Sequence, residues 1–322
     1  MRRAPVLTAA AVVAVLALAA CSGGDVDGGG PTGEDELTPI SVGVMPIVDT
    51  APIWLGVEEG IFADHGLDVT PEILAGGAAV VPTVVSGEHQ FGFSNTISVL
   101  QAVDQGLDLQ VATSAVASTG DESADMGAIV AGPETGITGA GDLTGRTVAV
   151  NALSSIGTAL VSHVVDLNGG DSSTIDFVEL PFPEIPAALA SGNVDAAWLF
   201  EPFITIAEDD GATVASYLLV ETHPQLQISV YFTTSQYAAQ EPEIYDAFVS
   251  AMEEALDLAE EKPDAAREVI GSYTEIAPEL VESIVMPRFP STLDIESLEV
   301  MAEISQRYGL IGEDFDVADV LP

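Results

Sequence analysis

The sequence predicts an α/β protein of two similar lobes, with mostly parallel sheets flanked by helices. Three observations carry that expectation. Short β-branched runs alternate with helix-length apolar patterns over most of the chain, the alternation that builds a parallel sheet covered on both faces. A Gly/Pro/Thr-rich stretch at 132–141 breaks the pattern where a chain would cross between lobes. Two segments echo each other: Val85–Phe93 (VSGEHQFGF) and Ala190–Trp198 (ASGNVDAAW) share a helix end, a Ser-Gly turn and an apolar strand.

Taken in order, Ile40–Met45 alternates and is rich in β-formers, a first strand ended by the turn Pro46–Pro52. Ile53–Glu59 opens a helix that Ile61–Leu67 closes, and Asp68–Leu74 is the second strand. Ala75–Gly77 connects tightly to an apolar helix at Ala78–Val85. Gln90–Phe93 is a strand, Ser94-Asn95-Thr96 lead a helix to about Gln105, and Leu109–Val116 and Gly127–Ala131 are further strands. Thr147–Val150 is a short buried strand feeding a polar turn, Asn151–Ser155. Ser154 or Ser155 there is a suitable N-cap for the helix carried by Leu160, Val161, Val164, Val165 and Leu167. Ile175–Leu180, Val194–Leu199 and Thr213–Val220 read as strands, with a helix opened by Pro181–Glu184 and another after Phe203. Leu226–Thr233 returns across the boundary. From Pro242 onward helices take over, at Ile244–Lys262, Asp264–Tyr273, Pro278–Val285 and Ile295–Tyr308.

The 322 residues suffice for two ordinary domains, and 48% hydrophobic residues allow large cores. Seven Lys+Arg stand against 51 Asp+Glu, a formal charge of −44. Nucleic-acid binding needs a basic footprint that this chain lacks. An ATP-binding P-loop is excluded as well, because the only lysine, Lys262, has no glycine-rich approach. So acidic a surface favours a soluble monomer in salty or external surroundings.

The amino terminus carries the most specific signal. Arg2 and Arg3 precede an apolar, small-residue run at Val6–Ala20, short for a membrane span and right for the core of a signal peptide. Leu18-Ala19-Ala20-Cys21 resembles the lipobox of bacterial lipoproteins, in which cleavage precedes a cysteine that carries a diacylglyceryl group. The expected division is a signal peptide at 1–20 and, at 21–37, the lipidated Cys21 with a flexible tether. Cys21 is the only cysteine, so disulfides and thiolate metal sites are excluded. A Gly-rich coil of about fifteen residues reaches on the order of 20 Å. A globular body held at the outer face of a cell membrane follows.

In open α/β sheets ligands collect beyond the carboxyl ends of the strands. If two lobes face each other, the segments near Asp49, Gly76, Ser94, Asn151 and Glu201 converge on one cleft.

A resemblance extends this reading. Ala51-Pro52 with Gly56–Phe62 and Gly66–Val69 resembles the start of extracytoplasmic solute-binding proteins that serve ABC importers for nitrate, sulfonates, taurine and the thiamine pyrimidine precursor. Ser86-Gly87-Glu88 before Phe91–Phe93, Asp142–Arg146, Ser191–Ala196 and Glu201-Pro202 continue it in order across about 40–310. The resemblance implies the type II periplasmic-binding-protein fold, a ligand cleft between two lobes joined by hinge crossings, and no cofactor. Lobe one would be 38–130 plus 232–322, and lobe two 131–231. The loaded form would dock on an ABC permease whose ATPase subunit hydrolyses ATP. A lipoprotein that senses the ligand and signals to a membrane receptor is the alternative with the same cleft.

Candidate ligand residues from lobe one are Asp49, Thr50, Trp54, Gly76, Gly77, Ser94, Asn95 and Thr96. Lobe two contributes Asn151, Ser154, Ser155, Phe182, Trp198 and Glu201. Polar groups would aim the ligand while Trp54, Phe182 and Trp198 supply apolar walls. Trp198 lies within a buried strand and is equally a core residue, and Glu201 either meets a ligand amine or caps the next helix. Among the basic residues only Arg288, in an irregular turn, is placed to reach a cleft; an anion would lean on amides, and a neutral, aromatic or amine-bearing ligand fits as well. The four histidines, His65, His89, His163 and His223, have no metal-ligand spacing and form no catalytic set with a Ser and an Asp. An enzyme on the same fold is the least favoured reading.

Overall fold

The computed structural model describes residues 37–74 and 76–322. The expected signal peptide, Cys21 and all of the tether but Leu37 lie outside the described residues. Two five-stranded sheets organise the rest. The first contains β1 (Thr38–Val44), β2 (Leu67–Ile73), β3 (Phe91–Asn95), β4 (Gln110–Ala117) and β10 (Gln227–Thr233), ordered β2-β1-β3-β10-β4. The second contains β5 (Gly127–Ala131), β6 (Thr147–Val150), β7 (Asp176–Glu179), β8 (Ala196–Phe200) and β9 (Thr213–Ser216), ordered β7-β6-β8-β5-β9. The two orders are the same pattern, and β3 and β8, the strands of the echoed segments, hold the same central place.

Helices α1 (Ala51–Glu58), α2 (Ile61–Asp64), α3 (Gly77–Val85) and α4 (Thr96–Asp104) interleave with the first sheet. Helices α5 (Ile156–Leu167), α6 (Ile185–Ala190), α7 (Phe203–Asp209) and α8 (Leu218–Thr222) interleave with the second. A carboxyl-terminal group follows: α9 (Ser235–Gln240), α10 (Pro242–Glu261), α11 (Pro263–Tyr273), α12 (Pro278–Ser283) and α13 (Ile295–Arg307). The expected strand Thr213–Val220 stops at Ser216, and Leu218–Thr222 is helical instead. The segment mixes Thr213 and Ser216 with apolar residues, and neither half is long enough for its periodicity to separate a strand from a buried helical turn. Gly60, in the left-handed region at φ 79°, splits the first expected helix into α1 and α2.

Strand directions determine how the sheets face. In the first sheet β1 is parallel to β2 and β3, while β10 is antiparallel to both β3 and β4. Hence β4 ends at the same sheet edge as β1, β2 and β3, and β10 begins there. In the second sheet β6 is parallel to β7 and β8, and β5 is antiparallel to β8 and β9. Its β5 therefore begins, and its β9 ends, beside the carboxyl ends of β6, β7 and β8. The chain passes from Ala117 to Gly127 and returns from Ser216 to Gln227, so both crossings join carboxyl-end edge to carboxyl-end edge. These crossings lie a few residues ahead of the 130/131 and 231/232 boundaries expected from sequence. An apolar strand such as Gly127–Ala131 does not announce which sheet it pairs in.

Each sheet is covered on both faces. Phe91 stacks on Phe248 of α10, with centroids 3.7 Å apart, and Tyr231 and Phe62 meet the same ring. On the opposite face Val80 and Val84 of α3 lie over Gly92, where a Cβ would collide with them. In the second lobe Ile185, Leu189, Ile204 and Ala207 of α6 and α7 pack with Val130, Ala197 and Leu199. Helix α5 covers the other face through Leu160, Val161, Val164 and Val165. Among the described residues, no helix is long and apolar enough to cross a membrane.

Candidate functional site

The first-lobe wall starts where β1 ends. The chain turns through Met45–Thr50, and Thr50 Oγ1 donates to the carbonyls of Met45 (2.9 Å) and Ile47 (3.1 Å), closing the turn. Tyr273 of α11 donates its phenol to Ile47 O at 3.0 Å and lays its ring flat on Trp54, at 4.9 Å and 3°. This packing carries Asp49 into the interior, 7% exposed. Among the described residues no cation stands against its carboxyl, and burial pushes its pKa up from 3.8 to about 7. Its titratable neighbours are the phenols of Tyr231 and Tyr273, both raised, first by burial and then by nearby charge.

Around this acid lie polar atoms that the fold leaves unpaired. Tyr231 is opposite Phe93 on one side and Thr113 on the other, so the three share one face of the sheet, and Ser229 alternates onto it. Tyr231 OH, Thr113 Oγ1, Ser229 Oγ and the Trp54 indole N–H are buried with no hydrogen-bond partner among the described residues. On the opposite face Ser94 and Ser114 flank Val230, and their hydroxyls are unpaired too. Gly77 opens α3 directly over Ser94; any Cβ there would collide with the Ser94 hydroxyl. Buried polar atoms are nearly always satisfied, so the orphans grouped along β3, β4 and β10 ask for a partner that the described residues do not supply.

The second-lobe wall is the turn after β6. Ile156 begins α5, and Ser155 occupies the N-cap position, donating its N–H to Thr158 Oγ1 at 3.2 Å. Ser154 is exposed and left-handed at φ 53°, a conformation uncommon outside glycine. Its carbonyl accepts from Gln101 Nε2 of α4 at 3.2 Å, a contact between the lobes. Asn151 Oδ1 is buried without a partner among the described residues. Beneath it Trp198 is fully buried, edge-on to Phe200 at 4.4 Å, with its indole N–H also unpaired. A Cβ on Gly157 would come within 2.6 Å of the Trp198 ring, so glycine is what lets α5 sit on the indole. Phe182 stacks on Phe203 at 5.8 Å and stays half-buried.

The candidate residues thus separate into two groups. Trp54, Ser94, Asn151 and Trp198 carry groups that the described residues do not satisfy, and Asp49 carries a buried carboxyl with no cation against it. Thr50, Asn95, Thr96 and Glu201 spend theirs on the fold. Asn95 caps α4, accepting from Ser98 N at 3.0 Å, and Thr96 Oγ1 donates to Gln227 O at 3.3 Å, next to the return crossing. Glu201 accepts from Thr205 N (3.2 Å) and Oγ1 (3.0 Å) at the start of α7, and from Val285 N (3.3 Å) of the carboxyl-terminal segment. Of its two expected roles, the geometry displays the cap. Gly76 has open space where a side chain would be.

Arg288, the one cation placed by sequence to reach the cleft, donates Nε to both oxygens of Glu260, at 2.9 and 2.8 Å. Sequence reasoning missed Thr113, Ser114, Ser229, Tyr231 and Tyr273. For all but Tyr273, which ends α11, the signal was present as hydroxyl residues inside the mostly apolar strands QVATSAVA and QISVYFT. Elsewhere the lobes are latched by Asp166 of α5, which accepts from Tyr308 OH at 2.8 Å and lies 3.6 Å from Arg307. Among the described residues no group of three or more His, Cys, Asp and Glu side chains is placed to share a metal ion.

Comparison with known proteins bears on what such a cleft is for. The sequence profile of the family described as NMT1/THI5 like matches residues 48–266. A putative ABC transporter periplasmic binding protein of Brachyspira hyodysenteriae is 24% identical over 311 residues, covering 88% of this chain and 87% of the relative. The taurine-binding periplasmic protein of Escherichia coli is 23% identical over 213 residues, 66% of this chain and 64% of that protein. Among solved structures, the periplasmic aliphatic sulphonate binding protein of Escherichia coli superposes with a TM-score of 0.72 at 16% identity, covering 88% of this chain and 97% of the other.

Proposed function

The chain belongs to the NMT1/THI5-like family, and from that membership we propose that it is an extracytoplasmic solute-binding protein, which captures a small molecule between its lobes and delivers it to an ABC importer. The observation that supports this reading is the set of unpaired buried polar atoms in both lobes, whose sheets are joined by two crossings at their carboxyl-end edges. A rigid two-sheet body joined by two short crossings closes as a hinge, and a ligand touching both lobes favours the closed state.

In this reading Asp49, Trp54, Gly76, Gly77 and Ser94 line one side, and Asn151, Ser154, Ser155 and Phe182 the other. Trp198 supports the turn from beneath. Thr50, Asn95, Thr96 and Glu201 hold the walls in place through the hydrogen bonds described above. The lipobox-like Leu18–Cys21 supports anchoring through a lipidated Cys21, with residues 22–36 as a tether on the outer face of the membrane. The protein works there as a monomer without catalysis, and the energy for transport comes from the importer's ATPase. Lobe one comprises the first sheet and the carboxyl-terminal helices, lobe two the second sheet.

A thermal-shift panel of nitrate, taurine, alkanesulfonates, aminopyrimidines, riboflavin and polyamines tests the reading. A true ligand at a hundred times its Kd adds about 2.7 kcal/mol of stability and is recovered chemically unchanged. Conversion of a bound compound into a product would overturn the transport reading in favour of an enzyme.

A further inference from the structure

The charges around the cleft point to the kind of ligand it takes. Five basic residues fall within the described residues. Arg146 lies 3.5 Å from Asp195, where β6 begins, at the far edge of the second sheet. Arg267 donates to the carbonyls of Val281 and Ile284, Arg288 is held by Glu260, and Arg307 is beside Asp166. Lys262 is exposed at the end of α10. None is among the charges that bear on Asp49, Tyr231 or Tyr273.

What the wall does contain is a buried carboxyl group and, around it, unpaired hydroxyls that can each accept a hydrogen bond. A nitrate or sulfonate entering here would lie beside an acid with no cation to neutralise either group. A ligand cation reverses the balance. It pairs with a carboxyl group already removed from water; above about pH 7, where that group is ionised, the desolvation that normally erodes a buried ion pair has been met on the protein side during folding. Its remaining N–H groups then find acceptors in Tyr231 OH, Thr113 Oγ1 and Ser229 Oγ, atoms that nothing in the fold satisfies.

We propose that the cleft selects a ligand carrying a cationic nitrogen, a protonated amine or an amidine, which is seated on the Asp49 carboxylate. This rests on the solute-capture reading and narrows its ligand to one chemical class, set by a cationic nitrogen and not by the sulfonate group of the ligands named for the relatives. Binding also draws Asp49 into its charged form. The other titratable groups facing it, Tyr231 and Tyr273, stay neutral through the physiological range. Affinity for an amine therefore rises as pH is raised from 5.5 to 7.5, by as much as about tenfold per unit.

The test titrates benzamidine, phenethylamine, agmatine and spermidine against nitrate and methanesulfonate, by thermal shift and calorimetry, on the protein and on Asp49→Asn. The expected result is a shift with at least one amine or amidine, weakened at least 30-fold in Asp49→Asn and following the stated pH dependence, with no shift from either anion. Binding of an anion but of no amine overturns the proposal and leaves solute capture standing. Amine binding that survives Asp49→Asn unchanged also overturns it. Silence from every probe, with no compaction in small-angle scattering, overturns both.

Discussion

Asp49→Asn is expected to make the protein more stable at pH 8, by up to about 4 kcal/mol, and to change little under acid conditions. The folded-state pKa is raised, from 3.8 to about 7. Below 3.8 the group is protonated whether the chain is folded or not, and it contributes no pH dependence. Between the two values the native state keeps a proton that the unfolded state has lost, so stability falls as pH rises and levels off above about 7. Roughly three pKa units at 1.36 kcal/mol each set the upper bound. Asparagine keeps the shape without the ionisation. Urea denaturation at a series of pH values measures the difference, which narrows to about 1 kcal/mol near pH 4.5. A variant less stable than the parent at pH 8, or a difference that ignores pH, would contradict the buried-carboxyl account. An acid kept at such a cost to stability is characteristic of a group retained for function.

Trp198→Ala should remove about 3–5 kcal/mol. The indole is fully buried, fills the space that Gly157 leaves under α5, and meets Phe200 edge-on. Trp198→Phe keeps most of that packing and deletes an N–H with no partner among the described residues, so its loss should stay below about 1.5 kcal/mol. Equal losses for the two variants would mean that the unpaired N–H, and not the volume, matters to the folded state. The same pair of measurements separates the two roles that sequence left open for Trp198: a core residue first, and a wall of the site only through the turn it supports.

Local patterns announced the architecture better than the site. Thr147–Val150 was legible as a strand because a β-branched run between polar turns has few other uses, and the echoed Ser-Gly turns foreshadowed two sheets with the same strand order. Thr213–Val220 misled, because eight residues with only Thr213 and Ser216 polar can be a strand or a strand followed by a buried turn. Candidate residues in post-strand turns, such as Asp49 and Asn151, could be named from position alone, and Ser94, expected just past its strand, falls inside the end of β3. Thr113, Ser229 and Tyr231 could not, since what brings them together is the pairing of β10 between β3 and β4 across more than a hundred residues. The same long-range geometry decided against others. Thr96 has a carbonyl beside the return crossing and Arg288 a carboxylate at Glu260, and neither partner is visible in the local sequence, whereas Asn95 makes a local cap with Ser98 three residues on.

The central claim is that one small molecule is held by both lobes at once. Calorimetric titration of the best binder from the panel into the protein, Ser94→Ala and Asn151→Ala tests it most directly, because each substitution deletes an unpaired group from a different lobe. The expected result is one molecule bound per chain, with at least tenfold weaker affinity in either variant and an unchanged melting temperature without ligand. Undiminished affinity in both variants would contradict the account and place the ligand elsewhere.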